Sequence, residues 1–167
     1  MTEPITLDNT KRSMFRQCKK KFFLSAENGW QSNFGSTAIR YGVGWHGIQE
    51  GYHAWVKEHG WPNRETQMEA LTTGLVKGKE KFDKESEGKQ FNDDFKNFNT
   101  AVEAFSAYLD FFHEDNTFLK ILSTETKFEC PILPETEIEE RLLSKLPPLF
   151  FTGRIDLIVE MGGMVWI

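Results

Sequence analysis

Cysteine is scarce in this chain of 167 residues, and long apolar runs are missing. Its two cysteines, Cys18 and Cys130, form no Cys-x-x-Cys pair, which argues against a disulfide framework and against a zinc site. The first residues, MTEPITLDNTKR, include acids and lack the apolar core of a signal peptide. No run of about 18 apolar residues occurs anywhere in the sequence. We therefore expect a cytoplasmic protein without a membrane span.

The aromatic content excludes an intrinsically disordered class. Hydrophobic residues make up 39% of the chain and aromatic residues 14%, which is enough apolar surface to offset the entropy of ordering. The formal net charge of −5 argues mildly against a general nucleic-acid binder, because phosphates are contacted by Lys and Arg. The distribution of charge nevertheless predicts a local basic patch, formed by Lys11, Arg12, Arg16, Lys19, Lys20 and Lys21.

Four helices are indicated by apolar residues that recur at spacings of three and four. The first begins after Asp8 and carries an apolar face that consists of Met14, Phe15, Cys18 and Phe22. The second covers about 36–58 and has an aromatic stripe centred on Trp45. The third and fourth cover about 64–84 and 93–114, and the fourth has the most regular stripe, made up of Phe91, Phe95, Phe98, Val102, Phe105, Leu109 and Phe112.

After about residue 122 the apolar period changes from helical to alternating, which predicts strands. A first strand contains Phe128, Cys130 and Ile132 on one side, and Pro131 makes it an edge strand or ends it early. Residues 150–160 form a second strand, Gly162 and Gly163 a turn, and residues 164–167 the start of a third strand. An acidic excursion at 134–149 contains a short helix at 137–144. The expected fold class is α/β, of the α+β kind, with N-terminal helices packed on a mixed central sheet.

Two groups of residues are candidates for chemistry. His46, Glu50 and His53 share one face of the second helix, and a histidine with a carboxylate one turn away can bind a divalent ion. An ordinary polar flank of a partly buried helix explains the same spacing. Asp156 lies between apolar neighbours on the second strand, so its carboxylate would be desolvated unless it is paired, for example with Arg154, or bound to a metal.

Three segments of the sequence, in this order, each match a short motif. SMFRQCKKKFFL (13–24) resembles the entry helix F-x-x-C-P-x-K-F/Y, with Lys19 in place of the common proline. YGVGWH (41–46) resembles the G-x-x-x-H helix, with Gly42 and His46 at the matching positions. FTGRIDLIVEMGGMVWI (151–167) resembles the G-x-I-D strand and the hairpin after it, with Asp156 as the motif aspartate. Together the three segments resemble the PD-(D/E)XK nuclease superfamily, in particular its RecB-like and phage-type exonuclease members. The resemblance covers nearly the whole chain.

The resemblance implies a single restriction-endonuclease-like domain over 1–167, mainly helical over 1–120 and with the start of the catalytic sheet over 121–167. In that family the strand after the hairpin carries Asp/Glu-x-Lys, which would set a second carboxylate and an ammonium beside Asp156. No such motif follows Asp156. We therefore expect the domain and its sheet to be C-terminally incomplete, and this chain alone to be inactive.

The resemblance also implies the site residues. His46 and Asp156 would be catalytic ligands of Mg²⁺ or Mn²⁺, and Glu50 or Glu129 would assist them. Arg12, Arg16, Lys19 and Lys20 are candidates for contact with DNA phosphates, although a solvated helix face explains their charges as well. Some relatives hold an iron–sulfur cluster through a cysteine at the position of Cys18. No cluster is expected here, and Cys18 is predicted to be a small buried residue.

The expected function is a metal-dependent DNA nuclease that hydrolyses phosphodiester bonds in DNA repair, recombination or phage DNA processing. Its partners would be DNA and helicase or recombination proteins, with no membrane, in a bacterial or phage-infected cell. One alternative is a nuclease-like DNA-binding or scaffolding module without catalysis. Another is a helical interaction protein whose aromatic stripes only form a core. An acid-x-lysine sequence encoded after Ile167 would favour the enzyme, and its absence would favour the binding module.

Overall fold

The structure, a computed structural model, describes residues 5–30, 34–91, 96–112, 118–144 and 146–167. It is a mixed α/β structure that combines helices with a small mixed sheet. Its contacts divide the chain into two compact units, which are described separately. The first unit contains Met1–Gln31 and Lys127–Ile155, and the second contains Ser32–Thr126 and Asp156–Ile167. No helix among the described residues is long and apolar enough to cross a membrane.

The elements of the described residues follow one another from an N-terminal strand through helices to three further strands. In chain order they are β1 (Ile5–Leu7), α1 (Asn9–Gln17), α2 (Lys19–Phe22), a π-helical turn (Phe23–Glu27), α3 (Thr37–His59), α4 (Gln67–Ser86), α5 (Phe98–Phe111), β2 (Lys120–Pro131), α6 (Glu135–Leu143), β3 (Leu149–Met161) and β4 (Met164–Trp166). The later helices and β2 to β4 match the predicted ranges to within a few residues, except that α5 begins later than predicted. Asn97 caps its first turn, Phe91 lies before it, and Phe95 is outside the described residues.

The sheet has the order β1-β3-β2, and β4 also pairs with β3. In the first unit β1 runs parallel to the start of β3, with Ile5 opposite Leu149. In the second unit β4 runs antiparallel to the end of β3, with Met161 opposite Met164 across the turn. Gly162 and Gly163 of that turn have positive φ angles of 59° and 77°, as the sequence predicts. The strand β1 was not predicted, because three residues carry too short a pattern.

In the first unit, Cys18 divides what the sequence predicts as a single helix. Asp8 caps α1 by accepting a hydrogen bond from the backbone N–H of Lys11 at 2.7 Å. Cys18 then has an extended backbone, ends α1, and caps α2 by accepting from the N–H of Lys21 at 3.4 Å. The predicted burial of Cys18 is wrong, since the residue is exposed and acts as a cap. The predicted apolar face is not covered by other residues to the point of burial. No residue of α1 or α2 is buried, and Phe15 is 47% exposed.

The second unit has its core between α3, α4 and α5, with Ile48, Tyr52 and Phe105 almost fully buried. Glycines bring α3 and α4 into backbone contact. A Cβ atom added to Gly51 would lie 2.8 Å from the carbonyl oxygen of Thr73, closer than ordinary contacts allow. The close approach fixes which residues of α3 pack against α4.

Candidate functional site

In the second unit, α3 and β3 bring His46 and Asp156 together. The distance from His46 Nδ1 to Asp156 Oδ2 is 3.7 Å. This is too long for a hydrogen bond. It suits two ligands of one small cation, because atoms that are each about 2.1 Å from an ion lie roughly 3–4 Å apart. The side chains are 50% and 64% exposed, so both donors are open to solvent.

The exposure of Asp156 corrects one expectation from the sequence. The apolar neighbours of Asp156 along β3 predicted a desolvated carboxylate, but its side chain is on the exposed face of the strand. Apolar neighbours in a sequence do not determine which face of a strand is covered. The carboxylate is therefore accessible to an ion or to a substrate.

His46 and Asp156 lie on the wall of a cavity of about 230 Å³ in the second unit. The wall also includes Gln49, Glu50, His53, Tyr108 and Glu125. The common face of His46, Glu50 and His53 predicted from helical spacing is thus the face that α3 presents to this cavity. The cavity combines imidazole, carboxylate, amide and phenol groups, which can bind a cation and form hydrogen bonds to a polar ligand.

Glu50 is already engaged by two cations of α4. Lys77 Nζ lies 2.9 Å from Glu50 Oε1, and Lys81 forms an ion pair with Oε2. The Glu50 side chain is only 14% exposed. Burial acts to raise its pKa, but the hydrogen bonds and charges of Lys81 and Lys77 outweigh burial, so its pKa lies below the ordinary value. A metal ion would have to compete with both lysines for this carboxylate.

His53 is buried, with 4% of its surface exposed, and packs against the rings of Tyr52 and Trp61. Burial lowers its pKa to about 4, because an imidazolium would be desolvated there. The ring is therefore neutral at pH 7 and adds no positive charge to the cavity. A neutral imidazole can accept or donate one hydrogen bond toward a bound group.

Glu125 is a residue of the cavity wall that the sequence analysis missed. Its φ angle of 53° is in the left-handed region, which costs a residue with a Cβ atom free energy. Glu129, which was predicted to assist at the metal, belongs to the first unit, is exposed, and is absent from this wall. One signal pointed to Glu125: Glu125-Thr126-Lys127 has the acid-x-lysine spacing, although it precedes β3 in the chain.

The basic candidates lie in the first unit. Arg12 and Arg16 are exposed on α1 and line a cavity of about 580 Å³ together with Asn9, Ser13 and Gln17. Lys19 and Lys20 are exposed on α2. The four candidates for phosphate contact are thus exposed on two consecutive short helices, and their contact with DNA stays a prediction.

Over the ranges that the structure describes, no group of three or more His, Cys, Asp and Glu residues is placed to hold a metal ion. His46 and Asp156 could supply two ligands to such an ion, one nitrogen and one oxygen atom. Compared with models of protein families, with curated proteins and with solved structures, the chain has no match. Its class therefore rests on its own fold and site: a mixed α/β protein with a histidine–aspartate pair at an open polar cavity.

Proposed function

We propose that this chain carries the metal site of a divalent-metal-dependent DNA nuclease with a restriction-endonuclease-like fold. The observation that carries the proposal is the 3.7 Å approach of His46 on α3 to Asp156 on β3, at the wall of an open cavity. These are the histidine and the aspartate that the family resemblance marks as metal ligands. They belong to segments distant in the sequence, so their meeting does not follow from local spacing.

His46 and Asp156 would hold the ion through one nitrogen and one oxygen atom. A divalent ion supplies charge to the scissile phosphate and makes water a better nucleophile. Glu125 adds a second carboxylate to the cavity wall, and Gln49 and Tyr108 offer hydrogen bonds to a phosphate oxygen. Because burial keeps His53 neutral, its ring does not repel the cation.

The proposed reaction also needs a positive group near the phosphate. Lys77 and Lys81 both contact Glu50, which is part of the cavity wall, and two ammonium groups exceed the charge of one carboxylate. The lysine that the family resemblance implies beside the second acid does not occur after Asp156. The chain's own candidates for this role are therefore the α4 lysines.

The test is DNA cleavage by the protein as its gene encodes it, with plasmid and linear DNA in Mg²⁺, Mn²⁺ or EDTA. We expect cleavage that requires the metal and that falls by about 100-fold or more in Asp156→Asn and in His46→Asn. Asp83→Asn is a matched control, since Asp83 is an exposed carboxylate of the same unit paired with Lys79. Cleavage that persists in Asp156→Asn would reject the proposal.

A second candidate is a nuclease-like module that binds DNA without cleaving it. One observation supports it: among the described residues, no third His, Cys, Asp or Glu completes a metal-binding group with His46 and Asp156. This module would bind DNA through the basic surface at α1 and α2. Two results together would favour the binding module over the enzyme. The wild-type protein would not cleave DNA, and Asp156→Asn would bind DNA as the wild type does.

A further inference from the structure

One face of α1 consists of polar and basic side chains at helical spacing. Asn9, Arg12, Ser13, Arg16 and Gln17 follow one another at intervals of three, one, three and one, and all line the cavity of about 580 Å³. Amide and hydroxyl groups stand there beside two guanidinium groups. This combination offers charged donors to phosphates and both donors and acceptors to base edges.

Two aromatic side chains are exposed on α1 and on the π-helical turn that follows α2. Phe15 is 47% exposed and follows Arg12 by three residues, so the two are neighbours on the helix surface. Phe23 is 56% exposed, and its backbone N–H donates to the carbonyl groups of Lys19 and Lys20 one turn before it. The ammonium of Lys19 lies 5.7 Å from the centre of the Phe15 ring. Exposed rings and cations therefore follow one another over residues 12–23, and Lys19 contacts one of the rings.

Alternating rings and cations fit single-stranded nucleic acid. A single strand offers phosphates for the cations and unstacked bases for the rings, whereas the bases of a duplex stack on one another. We propose that α1, α2 and the π-helical turn bind single-stranded DNA, with bases stacked on Phe15 and Phe23 and phosphates held by Arg12, Arg16, Lys19 and Lys20. The choice of DNA rests on the proposed function, and the strand preference is new.

A helix with basic and aromatic residues can also lie on an anionic membrane. The side chains of Asn9, Ser13 and Gln17 favour DNA, because they add hydrogen-bond donors and acceptors beside Arg12 and Arg16, whereas anionic headgroups need only the cations. Bases and sugar oxygens satisfy such groups. Vesicle binding is accordingly one outcome of the test.

The test measures fluorescence anisotropy of a labelled thymidine oligonucleotide and of a duplex of equal length, in EDTA so that no cleavage occurs. We expect the wild-type chain to bind the single strand more tightly than the duplex. Phe15→Ala and Phe23→Ala should each weaken single-strand binding by about 5- to 100-fold and leave duplex binding nearly unchanged. Arg12→Ala and Arg16→Ala should weaken both, and each should reduce the salt slope for the single strand by about 0.7.

Two controls match these variants in the second unit. Phe111 is 80% exposed, so Phe111→Ala removes an exposed ring, and Lys84→Ala removes an exposed cation. Both should leave binding unchanged. Phe15 and Phe23 are about half exposed, so their alanine variants should keep the circular dichroism spectrum of the wild type.

Three outcomes overturn the inference: aromatic variants that bind the single strand like wild type, no DNA binding at all, or binding to phosphatidylserine vesicles without binding to the oligonucleotide. Its failure is distinct from failure of the proposed nuclease function. Loss of binding in Phe15→Ala or Phe23→Ala without any Mg²⁺-dependent cleavage keeps the inference and rejects the nuclease. Cleavage that requires Asp156, together with normal binding by both aromatic variants, keeps the nuclease proposal and rejects the inference of single-strand binding.

Discussion

Gly47 of α3 lies directly against Gly78 of α4, where a Cβ atom added to Gly47 would come within 2.8 Å of the Gly78 Cα atom. Further along the same contact, Gly51 faces Thr73 and Gly74. Since α3 also carries His46, the close packing of these two helices sets where the candidate metal ligand lies.

The first prediction concerns this glycine contact. Gly51→Ala should lower the free energy of unfolding by about 1–3 kcal/mol, because the new methyl group meets backbone atoms of α4 at 2.8 and 2.9 Å. Gly42→Ala, on the same helix but with open space around it, should raise it by about 0.5–1 kcal/mol through helix propensity. Urea unfolding of both variants measures the difference. Equal effects of the two substitutions would contradict the observed helix contact.

A second prediction concerns Glu50. Glu50→Gln should lower the free energy of unfolding by about 1–2 kcal/mol, because it leaves Lys77 and Lys81 close together without the carboxylate between them. Asp83→Asn removes an exposed carboxylate partner of Lys79 and should cost about 0–0.5 kcal/mol. Chemical denaturation at pH 7 compares the two. A larger loss in Asp83→Asn would show that Glu50 does not organise the two lysines.

The buried His53 predicts a pH dependence of stability. Its pKa is about 4 in the folded chain against an ordinary value of 6.5, so between these values the unfolded chain binds more protons. The free energy of unfolding therefore contains a contribution from neutral His53 that is fully present above about pH 6.5 and is lost as the pH falls toward 4. This contribution amounts to about 3 kcal/mol.

His53→Phe, which keeps an aromatic ring against Tyr52 and Trp61, should flatten this part of the stability curve. His59→Phe is the control, because His59 is exposed on the same helix. The free energy of unfolding of the wild type and both variants is measured at several pH values between 4 and 7. We expect its slope with pH to fall only in His53→Phe. The same slope in wild type and His53→Phe would mean that His53 is not held neutral by burial.

The sequence predicted the elements whose pattern is long and local. The stripes around Trp45 and Phe105 predicted α3 and α5, and the alternation near Asp156 predicted β3. The capping role of Cys18 and the strand β1 were missed, because one depends on a single backbone angle and the other on pairing with distant Leu149. Short patterns hold little information when tertiary contacts decide the structure.

The candidate site was predicted only in part, because local spacing places residues on one helix face but does not show which other elements pack against that face. Helical spacing was enough to place His46, Glu50 and His53 on one face. It could not show that Lys77 and Lys81 hold Glu50, since that depends on how α4 packs on α3. Nor could it show that Glu125, with its left-handed backbone, lines the cavity.

The central claim is that His46 and Asp156 together bind a divalent ion. Its most direct test is titration of the 167-residue chain with Mn²⁺, followed by the relaxation rate of water protons, for the wild type, His46→Asn, Asp156→Asn and the control Asp83→Asn. We predict weak saturable binding by the wild type and the control, and affinity reduced by roughly tenfold or more in each of the other two variants. No binding by the wild type, or equal affinity in all four proteins, would contradict the account.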